Sequence, residues 1–188
     1  MGGTTMDERK GNWSQTFTGR RFFVVDPRPE DICIEDVAHA LALQCRFAGH
    51  CRVPYSVAEH SVRVADYLWH ATNGDRAAAL AGLLHDASEA YCVDVPRPLK
   101  PYLDGYASIE GAIIEAVEAW AGLPRGACSS EAVKHADEVV LATEARDLMA
   151  ITRPWHLRAE PLAETIEPWG WERAETMLLA RFATLNGR

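Results

Sequence analysis

In Leu80-Ala81-Gly82-Leu83-Leu84-His85-Asp86-Ala87-Ser88-Glu89, a helical stripe of Leu80, Leu83, Leu84 and Ala87 meets two adjacent polar side chains. Burying His85 and Asp86 without partners costs on the order of several kcal/mol. A shared metal ion is one way to satisfy both. Adjacent helical side chains diverge by about 100°, yet both can converge on an ion lying between them. Glu89 follows His85 by four residues and Asp86 by three, so it shares their face. The segment therefore presents an imidazole and two carboxylates to one locale.

Working outward, Asp75 is placed to cap this helix, which is expected to run to about Tyr91. The preceding helix starts at Ser56, where Ser56 and Glu59 stand in the capping-box relation, and runs to about His70. Asn73-Gly74 separates the two. A further helix covers about Ile34 to Cys45, with Ile34, Val37 and Leu41 on one face. Beyond the Pro-rich Val93–Pro98 loop, helices are expected near Tyr106–Trp120, Ser130–Met149 and Trp169–Leu185. Aromatic and β-branched residues between Thr16 and Val25 fit a short strand or hairpin. Residues 1–16 are polar and Gly-rich and read as a disordered tail. The expected architecture is all-α, with five or six helices in a single domain over 17–188.

The length of 188 residues suits one domain with a real core. With 19 basic and 27 acidic residues the net charge is −8, which disfavours a duplex-binding protein. No apolar run spans a bilayer and no leader pattern opens the chain, so a soluble cytoplasmic protein is expected. Cys33, Cys45, Cys51, Cys92 and Cys128 contain no C-x-x-C spacing and read as reduced thiols. Trp155, Trp169 and Trp171 read as core or subunit interface, and His39, His70, His135 and His156 as surface or packing residues.

Three segments taken in order resemble a known family. Ala58-Glu59-His60-Ser61, His85-Asp86-Ala87-Ser88-Glu89 and Val133-Lys134-His135-Ala136-Asp137 are similar to the H…HD…D signature of HD-domain phosphohydrolases. The bacterial 5′-deoxynucleotidases and their bacterial and phage relatives are the most similar, over about residues 40–150. The resemblance implies one divalent metal ion (Mn, Co, Ni, Zn or Mg) held by His60, His85, Asp86 and Asp137. It implies that Glu89 aligns or activates the attacking water, and that Asp94 sits near the scissile bond and sugar. Arg46, fourteen residues before His60, matches a substrate-contacting arginine, and Phe47 stands where those enzymes have tryptophan. His50 and Lys100 are further candidates for contact with substrate phosphate.

The implied activity is hydrolysis of the 5′-phosphate of (deoxy)nucleoside monophosphates. One alternative is triphosphate release from dNTPs, with Arg20, Arg21, Arg52 and Arg97 as extra cationic contacts. Another is a non-catalytic metal or nucleotide sensor, whose mark would be a lost ligand or a lost Glu89. The expected partner is a small nucleotide, with neither duplex nucleic acid nor membrane, and a homodimer through the C-terminal helices is expected from the resemblance.

Overall fold

The computed structural model describes residues 9–151 and 153–187. Among the described residues seven α-helices occur in order: α1 Ile34–Leu43, α2 Val57–Ala71, α3 Arg76–Leu84, α4 Glu89–Cys92, α5 Tyr106–Ala121, α6 Glu131–Leu148 and α7 Trp171–Asn186. The fold is all-α, as expected, with one antiparallel two-stranded hairpin, β1 (Ser14–Gln15) against β2 (Arg21–Phe22).

The hairpin corrects the expected tail boundary. Residues 1–8 lie outside the described residues, but β1 falls inside the stretch read as a tail. Arg9 is fixed by ion pairs to Asp26 (2.8 Å) and Asp31 (2.6 Å). The packing reason is Phe22, which is buried and stacks on Tyr91 with ring centroids 3.8 Å apart.

Helix α2 is the central element and packs against α1, α3, α6 and α7. Its start is set by Ser56, whose hydroxyl accepts from the Glu59 N–H at 3.1 Å. The Glu59 carboxylate does not close the capping box. It takes Arg63 at 2.6 Å and the Trp169 N–H at 2.7 Å, tying the C-terminal segment to this helix. Every residue from Val57 to Val62 is buried, which is what an all-round enclosed helix requires. His60 therefore enters the centre of the molecule on its first turns.

Asp75 caps α3 by accepting from the Ala77 and Ala78 N–H groups. Close approach of α3 to α2 depends on Gly82, where an added Cβ would lie 2.4 Å from Leu68 Cδ1 and 3.3 Å from Val64 Cγ1. Alanine gains about 1 kcal/mol of helix propensity there, but overpacking costs about 1–3 kcal/mol. Gly82→Ala is expected to lower stability by about 0–2 kcal/mol net, read from urea unfolding.

The helix expected through Tyr91 ends earlier. Between His85 and Ser88 the chain tightens: Ala87 N–H bonds Leu84 O and Glu89 N–H bonds Asp86 O, each three residues back. The backbone keeps right-handed dihedrals at His85 and Ser88, so this is a 3₁₀-like turn joining α3 to α4.

The described residues between 149 and 170 form no helix and are pinned from the side. Leu162 N–H bonds Thr143 Oγ1 and Ile166 N–H bonds Asp147. All five cysteines are free thiols. No helix among the described residues is long and apolar enough to cross a membrane.

Candidate metal centre

Two elements deliver the three residues of the central cluster. His60 comes from the first turns of α2, and His85 and Asp86 come from the turn after α3. One ligand atom from each lies within 4.8 Å of the others, and this group can hold a metal ion. The His60 and His85 Nε2 atoms are 3.3 Å apart. Asp86 Oδ2 lies 3.2 Å from His85 Nε2 and 3.6 Å from His60 Nε2.

The donor set passes a test of fit that rests on the far sides of the rings. His85 Nδ1 is 2.8 Å from the Gly82 carbonyl, which can only accept, so Nδ1 donates. His60 Nδ1 is 2.6 Å from Glu144 Oε1. Burial opposes the Glu144 charge, but Arg46 and His60 hold its carboxyl below the usual range, so this Nδ1 also donates. Both Nε2 lone pairs are thereby aimed into one space, beside a carboxylate, with each tautomer assigned from its hydrogen bond. Converging lone pairs repel unless a cation or protons lie among them. Fixing of the remote ring nitrogen is the usual support of a metal-binding histidine.

Asp137, from α6, approaches this group through His60: its Oδ1 is 3.2 Å from His60 Nε2. Its other oxygen is held by Arg97 at 3.1 Å, and Asp137 lies outside the three-residue cluster. Its carboxyl is kept well below the usual range, against burial, by the bond to His60.

A cleft of about 490 Å³ opens onto the cluster, lined on its polar side by Arg46, Glu89, Asp94 and Lys100. Arg46 bridges Glu144 (3.2 Å) and Asp86 (3.4 Å). Lys100 reaches Glu110 at 2.7 Å and Glu89 at 3.7 Å. The loop holding Asp94 is fixed by Gln44, whose Oε1 accepts the Asp94 N–H and whose amide donates to Glu89 O, both at 3.0 Å. Glu89 Oε2 is buried without a hydrogen-bond partner among the described residues. Burial, with repulsion from Asp86 and Asp94, pushes the Glu89 carboxyl up to about 9.

His50 does not join them. Phe47, Ala48 and Gly49 all have positive φ, and this left-handed turn precedes an exposed His50 outside the cleft lining. Of the arginines weighed for a triphosphate, Arg97 lines the cleft, whereas Arg52 bonds Asp147 O, Arg20 bonds Glu30 O and Arg21 lies over Trp13.

Two residues were not legible as site components. Glu144 is fully buried and follows Asp137 by two helical turns on α6, a spacing that places both on one face. That spacing, with the apolar residues around it, was the available signal. Trp155 was read as core or interface and instead lines the cleft.

In protein treated with chelator, the histidines answer the carboxylates by binding protons. Although burial opposes its charge, Asp86 lifts His85 to about 9. A group raised in the folded state stabilises fully below its unfolded pKa, near 6.5, and that stabilisation is lost as pH rises through about 9. Glu89, also raised, acts in the same direction from about pH 4.5 upward. The melting temperature in chelator is therefore expected to fall between about pH 6.5 and 9. Added Mn²⁺ should flatten this fall, and its binding should release protons in calorimetry repeated across buffers of different ionisation enthalpy.

No protein-family model matches the chain. It is 41% identical over 134 residues to the Escherichia coli K12 protein named "Uncharacterized protein YfdR", covering 71% of each chain. It is 38% identical over 145 residues to "Uncharacterized protein RCAP_rcc00048" of Rhodobacter capsulatus, covering 74% of each. The matched lengths exceed two thirds of the chain at identities well above 30%, so this protein belongs to the family of YfdR and RCAP_rcc00048.

Proposed function

We propose that this protein is a divalent-metal phosphohydrolase of the HD type that removes the 5′-phosphate of (deoxy)nucleoside monophosphates. The observation that carries the reading is the pair of imidazole lone pairs aimed at one space beside Asp86, which lines a cleft that also carries Arg46, Arg97 and Lys100. His60, His85 and Asp86 would hold the ion, with Asp137 as fourth ligand once Arg97 turns to substrate. When bound, the ion supplies Lewis acidity, drawing charge from a phosphoryl group and lowering the pKa of water. The N/O donor set suits Mn²⁺, Co²⁺, Ni²⁺, Zn²⁺ or Mg²⁺.

The chain's own residues supply the rest. Glu89 has an unengaged carboxyl oxygen, and it becomes a carboxylate once positive charge neutralises Asp86. It then aligns water and accepts its proton. Burial and repulsion from Asp86 raise the Asp94 carboxyl against the pull of Arg46, which suits it to pass a proton to the departing 5′-oxygen as the P–O bond breaks. Arg46, Arg97 and Lys100 set positive charge around the phosphate. Arg20, Arg21 and Arg52 make their contacts elsewhere, and this favours a monophosphate over a triphosphate.

The test is product analysis with chelator-treated protein supplied with Mn²⁺ or Co²⁺ and a panel of nucleoside mono- and triphosphates. Free phosphate from monophosphates is expected. Tripolyphosphate from dNTPs would move the assignment to a triphosphohydrolase, and no turnover with metal bound would contradict catalysis.

A further inference from the structure

The cleft has a charged end and an aromatic end, and the same elements supply both. Arg46 touches Asp86 of the cluster and lies over the Phe47 ring at 5.3 Å. The Phe47 ring in turn meets Trp155 edge-on, with centroids 5.7 Å apart and planes at 69°. On α6, Leu141 follows Asp137 by one turn, so that helix also passes from charged to apolar along the cleft. Leu157 completes the apolar wall.

Two features show that this wall is held in place. Phe47 and Ala48 are non-glycine residues at φ 58° and 49°. Backbone in that region is strained by about 1–3 kcal/mol per residue, and such strain persists where surrounding structure enforces it. Trp155 remains 37% exposed although Phe47 covers one side, which leaves apolar ring surface facing the cleft.

We propose that Trp155, with Phe47 beside it, is the seat of a planar heteroaromatic ring joined to the anionic group held at Arg46, and so sets the preference for nucleotides over simple sugar phosphates. The assignment rests on the nucleotide reading above. Every nucleobase has a π-face, so a wall that reads the base through ring faces selects for a base without choosing among bases. A sugar phosphate lacking a base reaches the charged end and leaves Trp155 uncovered.

The experiment uses the full chain with Mg²⁺ and two neutral probes that cannot be hydrolysed, deoxyadenosine and deoxyribose. The Trp155 indole N–H resonance is identified by its loss in Trp155→Phe. Deoxyadenosine is expected to move that resonance, and deoxyribose is expected to leave it in place. In parallel, Trp155→Ala should raise KM for dAMP about 5- to 100-fold with kcat little changed. Trp155→Phe should restore most of the loss, and hydrolysis of deoxyribose 5-phosphate should not respond to either substitution. A Trp155 resonance unmoved by saturating deoxyadenosine, or a wild-type KM for dAMP in Trp155→Ala, would overturn the assignment while leaving the phosphatase reading intact. If wild-type protein hydrolyses no nucleotide, that reading fails separately, because the deoxyadenosine titration reports on the aromatic wall without any turnover.

Discussion

Glu144→Ala is expected to destabilise the protein by about 3–5 kcal/mol and to weaken divalent metal binding about 10- to 100-fold. Glu144 is fully buried and has two charged or chargeable partners, Arg46 at 3.2 Å and His60 Nδ1 at 2.6 Å. Removing it leaves an Arg46 guanidinium that is only 11% exposed without its main counter-ion. It also frees the His60 ring to exchange tautomers, so that Nε2 no longer presents a fixed lone pair. The two effects separate in Glu144→Gln, which keeps the volume and can still accept from Nδ1. That variant should recover part of the metal affinity while remaining destabilised, because the charge facing Arg46 is gone. Chemical denaturation and metal titration of both variants check the two arms.

Glu89→Gln is expected to lower turnover by about 10²- to 10⁴-fold with metal affinity and fold retained. The substitution is nearly isosteric and falls on a carboxyl whose Oε2 has no partner to lose. Between about pH 4.5 and 9 the folded chelator-treated protein carries Glu89 protonated, a state that glutamine imitates. Above about pH 4.5 the unfolded wild-type chain loses that proton and the folded protein does not. The Gln variant should therefore match wild type in chelator only near pH 4.5 and below, gain on it steadily as pH rises to about 9, and hold a constant advantage beyond. If turnover survived the substitution within a few-fold, Glu89 would be a buried structural acid and the proton would have another acceptor.

Much of the scaffold follows from local signals that the structure then uses as read. Ser56 and Asp75 start α2 and α3 by capping. The pairing of His85 with Asp86 in an apolar stretch located the cluster because two buried polar groups demand a shared partner. The tightening at His85–Ser88 was hidden, since the residues keep helical dihedrals and only their hydrogen bonds shift by one position. His50 was misplaced because the left-handed turn at Phe47–Ala48 has no sequence mark: both residues ordinarily avoid positive φ. Trp155 was illegible for a different reason. It sits in a segment with no periodicity, whose path is set by distant side chains such as Thr143, Asp147 and Glu59.

His60, His85 and Asp86 are the proposed seat of a divalent cation. Isothermal titration of Mn²⁺ into chelator-stripped protein tests it most directly, run beside Asp86→Ala and with circular dichroism to confirm that the variant is folded. One high-affinity site per chain, lost or weakened at least 100-fold in the variant, is the predicted result. No saturable binding to wild type, or equal binding to a folded Asp86→Ala protein, would contradict the account.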